Sequence, residues 1–295
     1  MTTAHFTAQT PLGPALSAWE IYLADQDRSP NTIKAFLGDL RLMASFLPPD
    51  IALGAVTTAD INNFLDWMLT GRGVPCSPKS LSRRITSIKA FFRWLANAGV
   101  LLVDPAEKVV QKSVLSPLPE ALTLEETEAV LQTADQHRGE PNLDARYYAL
   151  LALLLETAIK KSECLNISPN HIDLEAPGGP ILFVRYASPK HRYKERKIPL
   201  SEAWVSAYFE YREQYSLTDR LFPWSPRRLE YLLEDIGKEA GLEKRLSFQM
   251  CRWTSGLRDL QNGMEPDKIR QKLGISKIQW REIKQKLDRL NAKQQ

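Results

Sequence analysis

The sequence predicts a mainly helical protein of two domains, with a small antiparallel sheet in the second domain. Apolar residues recur at helical spacing over residues 16–97. Residues 169–199 instead contain short β-rich segments broken by Gly-Gly and proline, and helical spacing returns from residue 201 onward. The chain has 295 residues, 43% of them hydrophobic, so each of two domains can bury a core of its own.

Four helices are predicted in the N-terminal domain, which we place at residues 1–113. Three of them follow a serine or threonine that can serve as N-cap, and in two of these a proline comes directly after the serine. Gly99 is expected to end the fourth helix, because glycine readily adopts the left-handed conformation of a C-terminal cap. The helices are expected at about residues 16–25, from Ser29-Pro30, from Thr57 or Thr58, and from Ser77-Pro78 to about Asn97.

The fourth helix combines an apolar stripe with a basic face. Apolar residues from Leu81 to Leu95 fall on one side of it, and no acidic residue lies between Arg72 and Arg93. Solvated helical faces usually mix charges of both signs, so a face that carries only cations predicts a surface for a phosphate backbone. The cations of this face are Lys79, Arg83, Arg84, Lys89 and Arg93.

Basic residues are concentrated in three separate parts of the chain, although the net charge is only +4. Residues 114–122 contain two prolines and are interpreted as a linker, which places the C-terminal domain at residues 123–295. Within that domain, cations predominate in residues 185–197 and again from residue 244 onward. Together with the fourth helix, these segments predict a clamp around double-stranded DNA.

The cysteine and hydropathy patterns argue against several other classes of protein. Three cysteines, Cys76, Cys164 and Cys251, lie far apart, so neither a disulfide framework nor a zinc site is expected, and no cofactor is predicted. The first residues lack the pattern of a signal peptide. The longest apolar run, Tyr147 to Leu155, is too short to span a bilayer. We therefore expect a cytoplasmic protein without a membrane role, associated with the nucleoid if it is bacterial.

Three segments of the second domain carry a more specific signal. They are TAIKKSECLNI at residues 157–167, the strand, turn and strand ILFVRYASPKHRYKERKIPL at 181–200, and LSFQMCRWTSGLRDLQNGMEPDKIRQKLGISKIQWREIK at 246–284. In this order and spacing they resemble the motifs of the tyrosine recombinase (phage integrase) family. The resemblance covers the chain from about residue 16 to residue 284. It implies an Xer-like architecture, with a four-helix SAM-like core-binding domain followed by a helical recombinase-type domain with a small sheet.

The resemblance also assigns the positions of the family's active site, and most of them hold other residues here. Arg252 matches the second catalytic arginine, whereas Lys160 stands in place of the first. The turn lysine of the hairpin matches Lys190, or Lys194 if the turn is longer than usual. Gln249 stands in place of the family's first histidine, and Ile275 stands where the family has histidine or tryptophan. Lys284 stands in place of the nucleophilic tyrosine.

These replacements predict a protein that cannot cleave DNA by itself. Members of the family attack a phosphodiester with a tyrosine hydroxyl and stabilise the charge on the phosphate oxygens with arginines. The last tyrosine of this chain is Tyr231 and the last histidine is His191, so no shift of alignment restores either group near Arg252. No catalytic residue is therefore assigned. Substitution by Cys251 or Lys284, or a tyrosine supplied by a partner subunit, remain alternatives.

The leading hypothesis is a DNA-binding protein that has lost strand cleavage. Such a protein could act architecturally, compete with an active recombinase for sites, or serve as a silent subunit beside one. The alternative is a protein-interaction module that no longer binds DNA, in which the tail after Lys284 docks on a neighbouring subunit. An enzyme of altered chemistry rests only on Cys251 and Lys284. The predicted DNA-binding residues are Lys79, Arg83, Arg84, Lys89, Arg93, Lys160, Lys190, Arg192, Lys194 and Arg252.

Overall fold

The computed structural model describes residues 6–111, 117–139, 141 and 143–294. The chain divides into two compact units, Met1–Pro117 and Leu118–Gln295. Part of the predicted linker, residues 114–116, lies outside the described residues. At its other end, Leu122 is only 2% exposed and packs into the core of the second unit. The domain limits of 1–113 and 123–295 stay predictions.

The first unit contains the four predicted helices. Ser29, Thr57 and Ser77 cap three of them by accepting hydrogen bonds from backbone N–H groups of the first turn, as their positions in the sequence predict. The first helix begins earlier than predicted, at Leu12, which is buried. The helices are α1 (Leu12–Asp25), α2 (Pro30–Phe46), α3 (Thr58–Asp66), which continues into a π-helical turn (Trp67–Gly71), and α4 (Pro78–Asn97).

The core of the first unit lies between these helices. The apolar stripe of α4 faces it, with Ile88, Phe92 and Leu95 fully buried. Trp19 of α1 packs edge-on against Phe91 of α4, with ring centroids 5.8 Å apart. Burying this stripe turns the opposite, basic side of α4 away from the core.

The second unit is built mainly from helices, with a sheet of three short strands. Thr123 caps the first helix in a capping box with Glu126, as the sequence predicts. The helices are α5 (Leu124–Gln136), α6 (Arg146–Thr157), α7 (Lys161–Cys164), α8 (Glu202–Gln214), α9 (Pro226–Glu239), α10 (Phe248–Gln261), α11 (Pro266–Lys272) and α12 (Lys277–Gln294). The strands are β1 (Ile172–Asp173), β2 (Ile181–Val184) and β3 (Arg196–Pro199).

The sheet is antiparallel with strand order β1-β2-β3, as predicted. In the β2–β3 pair, Leu182 lies opposite Ile198 and both face the core. The connection between these strands contains a 3₁₀ helix, Pro189–Lys194, so the hairpin ends in a long turn rather than a tight one. This turn carries several of the cations that the sequence marks as DNA-binding.

Helix α6 is the centre of the second unit, because every residue from Ala149 to Leu155 is buried. A smaller apolar cluster joins α10, α11 and α12. The end of α6, the start of α10 and the turn between α11 and α12 therefore meet at one place. In the part of the chain that the structure describes, no helix is long and apolar enough to cross a bilayer.

Candidate functional site

Arg252 lies in the first turns of α10, and its guanidinium group connects two other segments. One nitrogen, Nη1, donates a hydrogen bond to the carbonyl of Ala158 at the end of α6. The other, Nη2, donates to the carbonyl of Leu273 in the turn between α11 and α12. Burial of this cation lowers the pKa of Arg252 to about 10. Both acceptors are neutral, so the hydrogen bonds orient the guanidinium group without cancelling its charge.

Lys160 is the second cation of the site and lies directly before α7. Its Nζ donates to the carbonyl of Gly274 over 3.1 Å. Burial lowers the pKa of Lys160 to about 8; Glu163 opposes this change, whereas Arg252, Lys194 and Arg196 add to it by repulsion. Three cations and one carboxylate thus act on Lys160 in addition to its burial.

Glu163 is the carboxylate that accompanies these cations, and it is bound to Arg196 of β3. The pair is bidentate, with Nη2 to Oε2 at 2.9 Å and Nη1 to Oε1 at 3.0 Å. Glu163 also accepts from the Tyr186 hydroxyl and, over 2.7 Å, from the backbone N–H of Lys160. Burial favours the neutral acid, but the bonds and charge of Arg196 outweigh it and lower the pKa of Glu163 to about 2. Glu163 therefore stays ionised.

The turn after α11 presents four consecutive backbone carbonyls, and each accepts a hydrogen bond from a different basic side chain. Carbonyls at the end of a helix lack partners within it, and cations stabilise the negative end of the helix dipole. The pairs are Lys272 with Arg196 (2.6 Å), Leu273 with Arg252, Gly274 with Lys160 (3.1 Å) and Ile275 with Arg270 (3.1 Å). The turn thus determines where the two site cations lie.

The hairpin turn places Lys194 close to this cluster. Its ammonium group lies 6.0 Å from the centre of the Tyr186 ring and is one of the charges that lower the pKa of Lys160. The geometry therefore favours Lys194 over Lys190 as the lysine of the site. Lys190 and Arg192 belong to the same 3₁₀ helix and are exposed.

A groove of about 790 Å³ adjoins the site at Gly274, the residue whose carbonyl accepts a hydrogen bond from Lys160. It continues from Gly274 and Ile275 along β3 and α11, and its walls include Lys194, Lys197 and Lys268. Among the described residues, no group of three or more histidine, cysteine, aspartate or glutamate side chains could hold a metal ion. The site is thus a basic pocket with fixed hydrogen-bond donors, which suits an anion such as a phosphate.

The basic face of α4 differs from its prediction, because a carboxylate from another helix lies against it. Asp39 of α2 is 3% exposed and pairs with Arg83, and it lies 3.5 Å from Nε of Arg84. The interpretation of an all-cationic face was therefore wrong for these two arginines. Lys89 donates to the carbonyl of Glu107 over 3.2 Å. Lys79 and Arg93 are exposed and have no ion-pair partner among the described residues.

Comparison with known proteins identifies the family. Residues 120–283 match the family described as "Phage integrase family". Residues 16–99 match the family described as "Phage integrase, N-terminal SAM-like domain". The chain belongs to the phage integrase family. Its two units are therefore the SAM-like core-binding domain and the catalytic-type domain of a tyrosine recombinase.

Similar proteins include tyrosine recombinases and an integrase of known structure. The chain is 24% identical over 292 residues to tyrosine recombinase XerD of Listeria innocua, covering 92% of this chain and 93% of that protein. It is 30% identical over 162 residues to tyrosine recombinase XerC of Mycobacterium bovis, covering 54% and 53%. A lambda integrase dimer bound to a COC' core site has a similar fold, with a TM-score of 0.72 at 16% identity, covering 92% of this chain and 95% of that one.

The remaining positions that the resemblance assigns lie in three different surroundings. Gln249 is exposed, and Ile275 is 7% exposed and packs in the cluster of α10, α11 and α12. Lys284 is half exposed and pairs with Asp288 at 2.8 Å, as an ordinary surface lysine of a helix would. Burial raises the pKa of the Cys251 thiol to about 12, so this cysteine is a core residue with almost no reactive thiolate.

In this structure the tail packs on its own unit, and its docking on a neighbouring subunit stays a prediction. Helix α12 folds back on its own unit, where Leu287 is 1% and Leu290 5% exposed. Gln294 near its end donates to the carbonyl of Leu122 over 3.3 Å. Leu287 and Leu290 are therefore buried within the unit, whereas Ile278 of the same helix is 81% exposed.

The motifs in the sequence assign no role to Glu163, Arg196 or Tyr186. Glu163 matched the family motif, but its partner lies on a strand 33 residues later. The alternation of buried and exposed residues in β3, with Arg196 buried and Lys197 exposed, marks Arg196 as unusual. A buried arginine requires a counter-charge, and this rule would have pointed to such a pair.

Proposed function

We propose that this member of the phage integrase family binds double-stranded DNA through its backbone phosphates and does not cleave DNA by itself. The observation that carries the proposal is the pair of cations Arg252 and Lys160, whose hydrogen-bond acceptors are neutral carbonyls. A phosphate that enters the pocket would supply the negative charge that these carbonyls lack. An ionised phosphate oxygen attracts these cationic donors more strongly than a neutral carbonyl oxygen does.

The names of similar structures support the choice of ligand. The lambda integrase dimer is described as bound to a core site, and the Tn1549 transposon integrase as a complex with a circular intermediate DNA. The basic hairpin turn with Arg192 and Lys194 and the exposed cations Lys79 and Arg93 would add further phosphate contacts. Each such contact releases counterions, which makes binding sensitive to salt.

The absence of cleavage follows from the side chains that stand at the reacting positions. No tyrosine follows Tyr231 and no histidine follows His191 in the sequence, so the chain has no phenol after Arg252 to act as nucleophile. Cys251 is buried with a raised pKa, and Lys284 is paired with Asp288. A lysine at position 160 also lacks the planar, bidentate fork of an arginine.

A binding protein of this kind can act in three ways beside active recombinases. It can shape the DNA, occupy sites in competition with them, or fill one position in a mixed complex. Lambda integrase is described as a tetramer on a Holliday junction, which is the kind of assembly that a silent subunit could join. If the source is bacterial, association with the nucleoid would follow from the DNA affinity.

Fluorescence anisotropy of a labelled duplex of about 30 base pairs, across a salt series, tests the binding half of the proposal. We expect affinity to fall steeply with salt, with a log–log slope of about 0.9 for each phosphate contact. Arg93→Glu should weaken binding and reduce the slope. Arg41→Glu is the charge-matched control, because Arg41 is a surface arginine of α2 beside Glu20. The absence of binding at low salt would favour a protein-interaction module instead.

Nicked suicide substrates test the other half, since an active recombinase accumulates a covalent protein–DNA product on them. We expect no covalent product from this chain alone. A product that persists in denaturing gels and disappears with Cys251→Ala or Lys284→Ala would contradict the proposal. A change in the yield of an active tyrosine recombinase's own covalent product when this chain is added would support the role of silent subunit.

A further inference from the structure

Glu163 is a carboxylate beside Arg252 and Lys160, and its position poses a problem for phosphate binding. Glu163 accepts a hydrogen bond from the backbone N–H of Lys160 over 2.7 Å, and its charge acts on both Lys160 and Arg252. A free carboxylate at this distance would pair with those cations and compete with a phosphate. The pocket keeps the charge of both cations only if Glu163 is neutralised by another group.

Arg196 has the geometry of that group. It binds both oxygens of Glu163, at 3.0 and 2.9 Å, and the side chains of the pair are 7% and 2% exposed. The Tyr186 hydroxyl takes part of the remaining hydrogen-bonding capacity of Glu163. Both oxygens of the carboxylate therefore accept hydrogen bonds from Arg196, whose charge offsets that of Glu163.

Arg196 also connects the segments that position the two site cations. Its Nε donates to the carbonyl of Lys272 over 2.6 Å, and its Nη1 to the carbonyl of Lys194 over 3.1 Å. Gly274, whose carbonyl orients Lys160, leaves the space that the guanidinium group fills, because a Cβ there would lie 2.5 Å from Nη1. One side chain thus contacts α7, the hairpin turn and the turn after α11.

We propose that Arg196 is a positioning residue which, by neutralising Glu163, keeps Lys160 and Arg252 free to bind a phosphate. This inference rests on the proposed DNA binding. In the cluster of Lys160, Arg252, Arg196 and Glu163, three cations face one anion, which leaves two positive charges beside the phosphate position. Without Arg196 one positive charge would remain, and the carboxylate would lie next to the groups that must bind the phosphate.

The protonation of Lys160 in the absence of DNA tests this role directly. It can be followed by NMR of ¹³C-dimethylated lysines in the full chain, with the Lys160 signal assigned by Lys160→Arg. In Arg196→Met the unpaired Glu163 should raise the pKa of Lys160 by roughly one unit or more above its value of about 8. In Glu163→Gln, which leaves Arg196 unpaired, the pKa should fall. A purely structural role for Arg196 predicts no such pair of opposite shifts.

DNA affinity supplies the second measurement. Arg196→Met should weaken binding of a labelled duplex by about tenfold at neutral pH, which corresponds to a shift of one pKa unit. The double variant Arg196→Met/Glu163→Gln should recover most of the loss, because the competing carboxylate is gone. Arg138→Met is the matched control, since Arg138 forms a similar pair with Glu210 (Nε to Oε2 2.8 Å) away from the site. It should leave the pKa of Lys160 and the DNA affinity unchanged.

The two measurements separate the failure of this inference from the failure of the proposed function. Opposite shifts of the Lys160 pKa without any DNA binding by wild type would retain the role of Arg196 but overturn DNA as the ligand. Equal affinity of wild type and Arg196→Met, or loss of affinity that Glu163→Gln does not rescue, would overturn the inference. If Arg196→Met does not fold, Glu163→Gln decides alone, and an unchanged Lys160 pKa in that variant would overturn it.

Discussion

At the scale of single residues, Lys160 shows how one buried cation differs from a surface cation of the same charge. Its ammonium group is bound to a backbone carbonyl, and burial together with repulsion from Arg252 lowers its pKa to about 8. A lysine in water would keep its proton well above pH 9. The protonation of this residue therefore changes near neutral pH, which makes its role in phosphate binding measurable.

We expect DNA affinity to depend on pH through Lys160. A bound phosphate favours the protonated form, so this contribution is present below pH 8 and is lost as pH rises through that value. Between pH 7 and pH 9, wild type should lose about tenfold more affinity than Lys160→Arg, which keeps its charge over this range. Anisotropy titrations at several pH values, at constant ionic strength, measure the difference. Parallel pH profiles for the two proteins would contradict the assignment.

The same pKa determines the sign of an effect on stability. The pKa of Lys160 is about 8 in the folded protein and has an ordinary value of 10.5. Between these values the unfolded chain binds a proton that the folded chain does not bind. The contribution of Lys160 to the free energy of unfolding should therefore rise with pH from 8 to 10.5, and this rise should be absent in Lys160→Met.

The surroundings of Gly274 leave no room for a side chain larger than hydrogen. Its φ of +56° is unfavourable for other residues, and a Cβ would lie 2.5 Å from Arg196. Gly274→Ala should lower the free energy of unfolding by roughly 2 kcal/mol or more, through backbone strain and displacement of Arg196. Gly263→Ala is the matched control, since Gly263 also has a positive φ, +74°, but open space at the Cβ position.

Urea denaturation of the two glycine variants separates the two causes. Gly263→Ala should lose only the strain, roughly 1 kcal/mol. The additional loss in Gly274→Ala measures the contact with Arg196. If both variants lose the same amount, the close approach of the arginine contributes nothing to stability.

At the scale of elements, α12 packs on its own unit through a small part of its surface. Its sequence is polar except for a few positions, and two of these, Leu287 and Leu290, are buried against α10 and α11. These contacts close the small apolar cluster beside the site. The helix is therefore part of the second unit rather than an arm that reaches away from it.

Leu287→Ala should lower the free energy of unfolding by about 2–5 kcal/mol, because a buried leucine is lost and a cavity remains. Ile278→Ala in the same helix should change it by less than about 0.5 kcal/mol, because Ile278 is 81% exposed. Thermal or urea unfolding of the full chain measures both. A negligible effect of Leu287→Ala would indicate that the tail does not pack on its own unit in solution.

At the scale of the whole molecule, the chain consists of two units with separate cores and separate basic surfaces. The first unit carries Lys79 and Arg93, and the second carries the pocket and the hairpin turn. If both bind one duplex, the connection between them raises the effective concentration of the second contact once the first has formed.

We therefore expect the full chain to bind DNA at least about a hundredfold more tightly than either unit alone, prepared as residues 1–117 and 118–295. Each unit should unfold cooperatively, since each has its own core, and circular dichroism checks this before affinities are compared. A full chain that binds no more tightly than its better unit would show that the two units do not bind DNA together.

Local patterns in the sequence predicted the helices, their caps and the antiparallel sheet. These features depend on residues close together in the chain, whose spacing sets the apolar face and the first hydrogen bonds. The lack of a tyrosine and a histidine near Arg252 is likewise a property of the sequence alone.

The tertiary structure decided which basic side chains are already paired with a carboxylate and which are not. Asp39 reaches Arg83 across 44 residues, Glu163 reaches Arg196 across 33, and the tail folds onto its own unit. It also favoured Lys194 over Lys190 as the hairpin lysine of the site. These outcomes depend on how helices and strands pack against one another, because an ion pair forms wherever two side chains meet, whatever their separation in the chain.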